Sequence, residues 1–381
     1  MSFRAWYEVH KWTSLVSTVF LLMLCITGLP LIFSHEIDHA LGKSVEPPAL
    51  RAQAHRQADI DAIVADAQRR RPQDVLQFLV TEPDDPNVLF VRMADKITSS
   101  GLTAFYTYDL RSGEFLNAYP LGEGFMDVML RLHVDMYAGL PGTLFLGFMG
   151  LLLVVSLVSG VVVYGPYMKK LPFGTVRRER VARIKWLDQH NLLGIVTLVW
   201  FFVVGLTGAI NTLNIPIFGQ WQATELAELA KPFQGKPPVQ GPVSSAAAVK
   251  AAQQAEPDMA LSFMAYPGNN FSTPHHFMAF MRGSSPVSAR LLKIVMIDAA
   301  TSEVVTTREM PWYVSALMLS QPLHFGDYGG IGLKIVWLLL DLLTIIVLAT
   351  GLVLWWKKRH VTAEQRLRML DTLERARRAT P

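Results

Sequence analysis

The chain has 381 residues, of which 51% are hydrophobic and 17% are charged, and its formal net charge is +4. An average soluble domain carries about 25% charged residues, so this composition predicts a membrane protein with water-facing domains and disfavours disordered, collagen-like and nucleic-acid-binding chains. The single cysteine, Cys25, excludes an intrachain disulfide, a cysteine-ligated zinc or iron–sulfur site and covalently attached c-type haem, and it leaves ten histidines as the main metal ligands.

Four apolar segments are each long enough to cross a bilayer, which takes about 20 helical residues. They cover residues 12–33, 143–164, 192–213 and 333–356. The first differs from a secretory signal peptide because its apolar run exceeds the usual ~7–15 residues and no small-x-small cleavage site follows it. We therefore expect an uncleaved span there.

Flanking charge predicts how these spans are oriented. Residues 168–185 hold seven lysines and arginines against one acidic residue, Glu179, and the tail after Trp356 is also rich in basic residues. The positive-inside rule then predicts that both segments and the N-terminus are cytoplasmic. The two long connections would lie in the periplasm of a Gram-negative cell, and the protein would be a multi-pass protein of the bacterial inner membrane.

This orientation predicts eight segments along the chain. We expect the N-terminus and first span at 1–33, a first periplasmic module at 34–125, the second span with its outer entry segment at 126–164, a basic cytoplasmic loop at 165–188, the third span at 189–213, a second periplasmic module at 214–310, the fourth span with its outer entry segment at 311–356, and a basic cytoplasmic tail at 357–381.

The two halves share a pattern that indicates an internal duplication. His10 precedes a Thr-Gly pair at the same offset at which His190 precedes another. Leu132-His133 and Leu323-His324 are each followed, at equal offsets, by a tyrosine, a glycine and a second glycine in the next span. Each half therefore consists of a histidine, a span, an outside module, a Leu-His pair and a second span.

Each outside module is predicted to be a small α+β fold. The first has a helical segment at 60–70 and strand-like runs at 75–81, 88–93, 103–109 and 114–118, and the second has a helical segment at 246–254 and strand-like runs at 261–266, 276–281, 291–298 and 303–307. Proline pairs at 47–48 and 237–238 are typical of linkers. The expected fold is a membrane α-helical protein: a four-helix transmembrane bundle with two small α+β extracytoplasmic modules.

Four histidines lie at matched positions in the two halves. His10 and His190 are at the cytoplasmic starts of spans 1 and 3, and His133 and His324 are at the outer starts of spans 2 and 4. Two imidazoles that face each other across a helical bundle can ligate one haem iron from opposite sides. Depth predicts the pairs His10–His190 and His133–His324, because a span of about 22 residues is about 33 Å long, and hence two b-type haems per chain. The alternative is four ordinary interfacial histidines at helix ends.

Other residues on the same helices would suit haem binding. Small residues, among them Gly28, Gly160, Gly194, Gly208 and Gly351, would leave room for the flat macrocycle. Basic residues could meet the propionates, and these are Arg4, Lys11 and Arg183 inside and Arg131 outside.

A series of short motifs runs in order along nearly the whole chain. They are His10-Lys11-Trp12, Ile26-Thr27-Gly28, Glu36-Ile37-Asp38, Leu132-His133, Asp188-Gln189-His190, Leu323-His324-Phe325-Gly326 and Gly351-Leu352-Val353-Leu354-Trp355. In this order they resemble the PepSY-associated transmembrane helix family of iron-regulated membrane proteins. The resemblance implies PepSY-like outside modules, bound haem and a role in reducing iron–siderophore complexes at the outer face. One departure is Asp341 in span 4, where the family usually has a small or apolar residue.

Five residues are weaker candidates. His35 and His39 lie one turn apart and share a helix face, so they are either substrate-side or metal-binding groups or a solvated helix end. Trp312 and Tyr313 are typical of an interfacial aromatic belt and could also border a substrate cleft. Asp341 is an intramembrane ionisable residue, which suggests a function, but a protonated carboxyl with a hydrogen bond to Thr344 or to a neighbouring helix would explain it equally.

The sequence contains no dinucleotide-binding glycine motif after a strand, no Walker A motif and no serine-nucleophile motif. Electrons would therefore come from a quinol or from a cytoplasmic reductase. Together with the histidine pairs, the family resemblance implies a haem-dependent oxidoreductase that reduces a ferric siderophore, of the hydroxamate type, and releases Fe(II) without a catalytic acid or nucleophile. Two alternatives stay open: a haem conduit to a periplasmic protein acceptor, and a non-redox, membrane-anchored binding or regulatory protein. No nucleic-acid partner is expected.

Overall fold

The computed structural model describes residues 1–43, 58–83, 85–168, 172, 174–177, 181–239, 243–285 and 288–378, with side chains up to residue 357 except at 167–168. The predicted linker prolines 47–48 lie outside these residues. The α-helices of the described chain are α1 (Phe3–Ile32), α2 (Ser34–Ala40), α3 (Ile60–Arg70), α4 (Phe125–Val134), α5 (Gly139–Met168), α6 (Ala182–Asn211), α7 (Asn214–Trp221), α8 (Ala227–Ala230), α9 (Ser245–Ala255), α10 (Trp312–Phe325) and α11 (Gly330–Arg378). The strands are β1 (Val75–Val80), β2 (Val88–Ala94), β3 (Ala104–Asp109), β4 (Phe115–Ala118), β5 (Ala260–Ala265), β6 (His276–Arg282), β7 (Leu292–Asp298) and β8 (Val304–Glu309).

Four of these helices are long and apolar enough to cross a membrane, as predicted. They cover Phe3–Ile32, Gly139–Pro166, Ala182–Asn211 and Gly330–Lys357. Each begins before the apolar segment that predicted it, because hydropathy marks the part that suits lipid whereas the helix continues through polar flanks as long as its backbone hydrogen bonds are satisfied.

The four apolar helices form one compact unit, which comprises Met1–Ile32, Met129–Thr212 and Leu323–Pro381. Helix α1 packs against α5 and α11, and α6 packs against the same two helices. The helices thus form a closed ring in which α1 faces α6 and α5 faces α11 across the centre. An apolar layer fills the ring at mid-height and consists of Leu21, Cys25, Leu153, Phe201 and Leu348.

The second unit comprises Phe33–Val128 and Leu213–Pro322. Its eight strands form a single antiparallel sheet in the order β4-β3-β2-β1-β5-β6-β7-β8. The sequence predicted two modules with a sheet each, whereas the structure joins them through β1 and β5, where Leu79 lies opposite Met264. The pairing covers the two strand edges that separate modules would leave open.

Helices pack on both faces of this sheet. Helices α3 and α9 pack on one face through Ile63 and Ala248. On the other face Trp221, Val314 and their neighbours cover Phe280. Trp221 belongs to a continuous helical stretch from α7 through α8, with a π-helical turn at Gln222–Leu226 and a 3-10 turn at Lys231–Phe233. No pattern in the sequence predicted this stretch.

The sheet contains a fully buried histidine, His276, at the start of β6. Its Nδ1 lies 2.5 Å from the Thr273 hydroxyl, its ring packs edge-on against Phe233, and its Nε2 has no hydrogen-bond partner in the described part of the chain. Burial lowers the pKa of His276 to about 4, and this outweighs the opposing attraction of the Asp298 carboxylate.

We expect acid to destabilise the sheet through His276. Between pH 6.5 and 4 the unfolded chain binds a proton that the buried ring does not, so stability present above pH 6.5 is lost as the pH falls, up to about 3 kcal/mol. Hydrogen–deuterium exchange of β5–β7 in the detergent-solubilised chain should show more opening at pH 5 than at pH 7.5, after correction for intrinsic rates. His276→Gln should reduce this difference, and an equal difference in both proteins would contradict the assignment.

Candidate functional site

The first candidate site lies between diagonal helices of the ring. His10 on α1 faces His190 on α6, and the two ring centroids are 6.4 Å apart with planes inclined at 61°. The predicted pairing of these two histidines by depth thus agrees with their positions in the structure.

The second site is formed by His133 and His324, whose ring centroids are 6.1 Å apart with planes inclined at 58°. The sequence pattern predicts these histidines at the outer starts of spans 2 and 4. The structure corrects this, because they lie at the ends of the shorter helices α4 and α10. Residues with positive φ, among them Met136, Gly139, Gly326 and Gly330, interrupt the chain between each histidine and the span that follows.

The ring separations fit two imidazoles that bind one metal ion. A transition metal lies about 2.0–2.1 Å from an imidazole nitrogen and that nitrogen about 1.1 Å from the ring centre, so ligation from opposite sides separates the centroids by about 6.3 Å. The observed values are 6.4 and 6.1 Å. In the described residues no group of three or more His, Cys, Asp or Glu side chains converges in the manner of a metal site. Each pair therefore offers two protein ligands.

Hydrogen bonds turn the same nitrogen of all four rings away from the partner ring. The Nδ1 atoms of His10, His190 and His324 lie 2.8, 3.1 and 2.9 Å from the backbone carbonyl oxygens of Ser156, Val347 and Val204. A carbonyl only accepts, so Nδ1 donates and Nε2 keeps its lone pair. His133 Nδ1 lies 3.0 Å from the Thr27 hydroxyl, which donates its own proton to the Met23 carbonyl. Such a bond at the second nitrogen is the usual arrangement of a metal-ligating histidine.

A glycine on a neighbouring helix lies beneath each ring. A Cβ atom added to Gly160, Gly351, Gly28 or Gly208 would lie 3.0, 3.5, 3.3 or 2.8 Å from Cε1 of His10, His190, His133 or His324, respectively. These four glycines were predicted to make room for a macrocycle. In the structure they make room for the imidazoles.

The two sites lie at well-separated levels of the membrane unit. On α6, 18 residues separate His190 from Gly208, and on α1 the same number separates His10 from Gly28. At 1.5 Å per residue this is about 27 Å along the helix axis, which is close to the thickness of a bilayer core.

Of the four basic residues predicted to meet haem propionates, two are exposed and two contact neighbouring side chains. Arg4 and Arg183 are exposed. Lys11 forms an ion pair with Glu8 and lies 4.8 Å from the centre of the Trp12 ring. Arg131 lies over the ring of Tyr137, at 5.8 Å.

Four of the five weaker candidates belong to the sheet-containing unit, and Asp341 belongs to the membrane unit. His35 and His39 lie on α2, as predicted, and His35 Nε2 is 3.3 Å from the Asp85 carboxylate with its side chain half exposed. Trp312 and Tyr313 begin α10, where Trp312 is 81% exposed. Tyr313 is partly buried and packs against the apolar cluster that contains Trp221, Phe280 and Val314.

Sequence reasoning missed the groups that orient the histidines. The acceptors at Ser156, Val204 and Val347 are backbone atoms, which no residue pattern reveals. Thr27 and Thr350, whose hydroxyls lie 3.0 and 3.1 Å from a histidine Nδ1, each precede a glycine that packs on that same ring, so the Thr-Gly pairs contained this information.

An ion pair close to His190 was also missed. The Arg177 guanidinium contacts both carboxylate oxygens of Asp188, at 2.7 and 3.0 Å, and the Arg177 backbone N–H donates to the same group. This pair ties the loop before α6 to the turn of α6 that carries His190.

The family model for the PepSY-associated TM region matches residues 7–358, which is nearly the whole chain. The chain belongs to this family. The uncharacterized protein PA4219 of Pseudomonas aeruginosa (strain PAO1) is 25% identical over 269 residues, which cover 65% of this chain and 67% of that protein. Membership in the PepSY-associated family agrees with the resemblance in the motifs and with the four apolar helices.

We expect Gly208→Ala to lower the thermal unfolding midpoint, because the new methyl group would meet His324 Cε1 at 2.8 Å. Overpacking of this kind costs about 1–3 kcal/mol. Gly165→Ala on α5 is the control, since nothing lies within 4 Å of its Cβ position, and alanine favours helix over glycine by about 1 kcal/mol. Equal midpoints for the two variants in detergent would contradict the packing of His324 on Gly208.

Proposed function

We propose that this chain is an inner-membrane cytochrome with two b-type haems, which passes electrons across the membrane and reduces ferric iron in siderophore complexes at the periplasmic face. The observation that carries the proposal is the pair of facing histidines at each of two levels, with ring separations of 6.4 and 6.1 Å. We also infer that the two levels arose by duplication, because each histidine has a counterpart with its own glycine beneath it.

Haem suits these sites better than a bare metal ion does. Each site offers two imidazoles on opposite sides, and the remaining four ligands of a six-coordinate iron are those that a porphyrin supplies. His10, His190, His133 and His324 would hold the two haems through Nε2. Bound haem supplies a one-electron Fe(III)/Fe(II) couple.

The protein's own residues would fix the orientation of the imidazole ligands and keep water away from the haems. Hydrogen bonds at Nδ1 fix each ring and increase the electron density on Nε2. The apolar layer between the levels, with Leu153 and Phe201, keeps water from the bundle centre. Arg4, Lys11 and Arg183 would meet propionates at the inner level and Arg131 at the outer level, and Lys11 would then exchange Glu8 for a propionate.

The proposed substrate, a ferric siderophore, rests on a resemblance between sequence motifs. The motifs from His10 to Trp355 are close to those of the ferric-siderophore reductase FoxB, and the positive-inside rule puts the His133–His324 site at the periplasmic face. One electron passed to siderophore-bound Fe(III) yields Fe(II), which hard oxygen chelators of the hydroxamate type bind far more weakly. Release of the metal then needs no catalytic acid or nucleophile. His35, His39, Trp312 and Tyr313 are the residues we propose on the substrate side.

The electron donor would meet the His10–His190 site. A quinol in the bilayer and a cytoplasmic reductase are both compatible with that level, since the chain carries no nucleotide-binding motif of its own.

Haem content tests the first part of the proposal. Purified protein should contain two b-type haems per chain with the reduced spectrum of bis-histidine ligation. His324→Ala should remove the outer haem alone and His10→Ala the inner haem alone, because the two sites share no ligand. His39→Ala is the control and should keep both haems. A colourless wild-type protein would exclude both redox functions and leave the binding or regulatory role.

Reoxidation kinetics test the acceptor. Dithionite-reduced protein, mixed without oxygen with a ferric hydroxamate siderophore in a stopped-flow instrument, should reoxidise within seconds and form Fe(II), trapped by a ferrous chelator. His324→Ala should slow this at least tenfold, because the outer site would be the exit for electrons. Reoxidation that requires an added periplasmic protein would favour the conduit function.

A further inference from the structure

One half of the membrane unit buries an ionisable side chain, Asp341, at a position where the other half has a glycine. Asp341 on α11 is 5% exposed, and its carboxylate accepts a hydrogen bond from the thiol of Cys25 on α1. Of the two partners considered from the sequence, the neighbouring helix is therefore correct, and the Thr344 hydroxyl has no partner in the described residues.

The matching position in the other half needs no polar group. At the offsets that relate the histidines, Cys25 corresponds to Gly205 and Asp341 to Gly150. A Cβ on Gly150 would lie 3.1 Å from the carbonyl oxygen of Gly205, so two glycines let α5 and α6 pack closely there. Helix packing at this level is thus achieved by glycine in one half, and the carboxylate of the other half requires another explanation.

Asp341 lies beside the outer histidine site. The Cβ position of Gly28 is 3.3 Å from His133 Cε1 and 3.9 Å from Asp341 Oδ2, so the carboxylate and the ring are within about 7 Å of each other. Asp341 sits on the outer side of the apolar layer formed by Leu348 and its partners. The buried carboxylate near the inner site, Asp188, is by contrast paired with the Arg177 guanidinium.

We propose that Asp341 is a positioning residue that lowers the reduction potential of the outer haem. The inference rests on the proposed function and deepens it. An anionic carboxylate at this distance, in a medium of low dielectric constant, favours the more positively charged ferric state over the ferrous state. The Cys25 thiol stabilises the anion by donating to it. A lower potential makes the outer site a stronger reductant for siderophore-bound iron.

The test is a spectroelectrochemical titration of the detergent-solubilised full chain with both haems bound. Asp341→Asn should shift the midpoint potential of the outer haem to more positive values and leave the inner midpoint in place. Asp341→Glu, which restores the charge, should return the outer midpoint toward the wild-type value. Thr344→Val is the matched control, since it removes a buried hydroxyl one turn away on the same helix, and it should change neither midpoint.

The outcomes separate this inference from the proposed function. Two bound haems with an unmoved outer midpoint in Asp341→Asn would overturn the role of Asp341 and leave the cytochrome intact. A wild-type protein without haem would overturn the cytochrome itself. If Asp341→Asn does not fold, Asp341→Gly is a second uncharged variant, and glycine is the residue at the matching position 150. It should show the same positive shift, and an unmoved midpoint there would also overturn the inference.

Discussion

The membrane unit depends on how four imidazoles are held. Each imidazole donates to a backbone carbonyl of a helix other than its own, and His133 Nδ1 also contacts the Thr27 hydroxyl. A helical carbonyl that already accepts from its own helix has a second lone pair, so it can accept from a histidine without breaking the helix. Because a glycine lies beneath each ring, the imidazole approaches the backbone closely enough for this bond. These contacts fix the axial positions of the helices relative to one another.

The same contacts account for the arrangement of the sites in the ring of helices. His10 and His190 project from one diagonal pair, α1 and α6, while His133 and His324 enter from the segments that precede the other pair, α5 and α11. Each diagonal pair faces across the centre of the ring, so opposed imidazoles can meet there. Between the two levels the centre closes with Leu21, Leu153 and Phe201. Asp341 breaks this near-symmetry at the outer level alone, which gives two similar sites different electrostatic surroundings.

Much of the fold and the site could be predicted from the sequence, for identifiable reasons. Runs of about 20 apolar residues specify spans because lipid offers backbone groups no partners, and equal offsets from His10 and His190 specify equal depth because a helix rises uniformly. The outer entry segments before spans 2 and 4 were not predicted to form helices of their own, because positive φ at Met136 and Gly326 leaves little trace in composition. The single sheet was not predicted either. Strands β1 and β5 lie far apart in the chain, and their alternation patterns suit two four-stranded sheets as well as one eight-stranded sheet.

The sequence by itself determined which residues could be ligands and at which depth each would lie, since residue type, hydropathy and spacing along a regular helix are local properties. Tertiary structure alone decided three things. The rings face each other at a separation that suits metal ligation, and particular backbone carbonyls accept from Nδ1 and so leave the lone pair on Nε2. The hydrogen-bond partner of Asp341 is Cys25 and not Thr344. All three depend on the rotation of one helix about its axis relative to another. That rotation is set by close packing of glycine against imidazole and by hydrogen bonds between helices, which form only when distant parts of the chain are brought together.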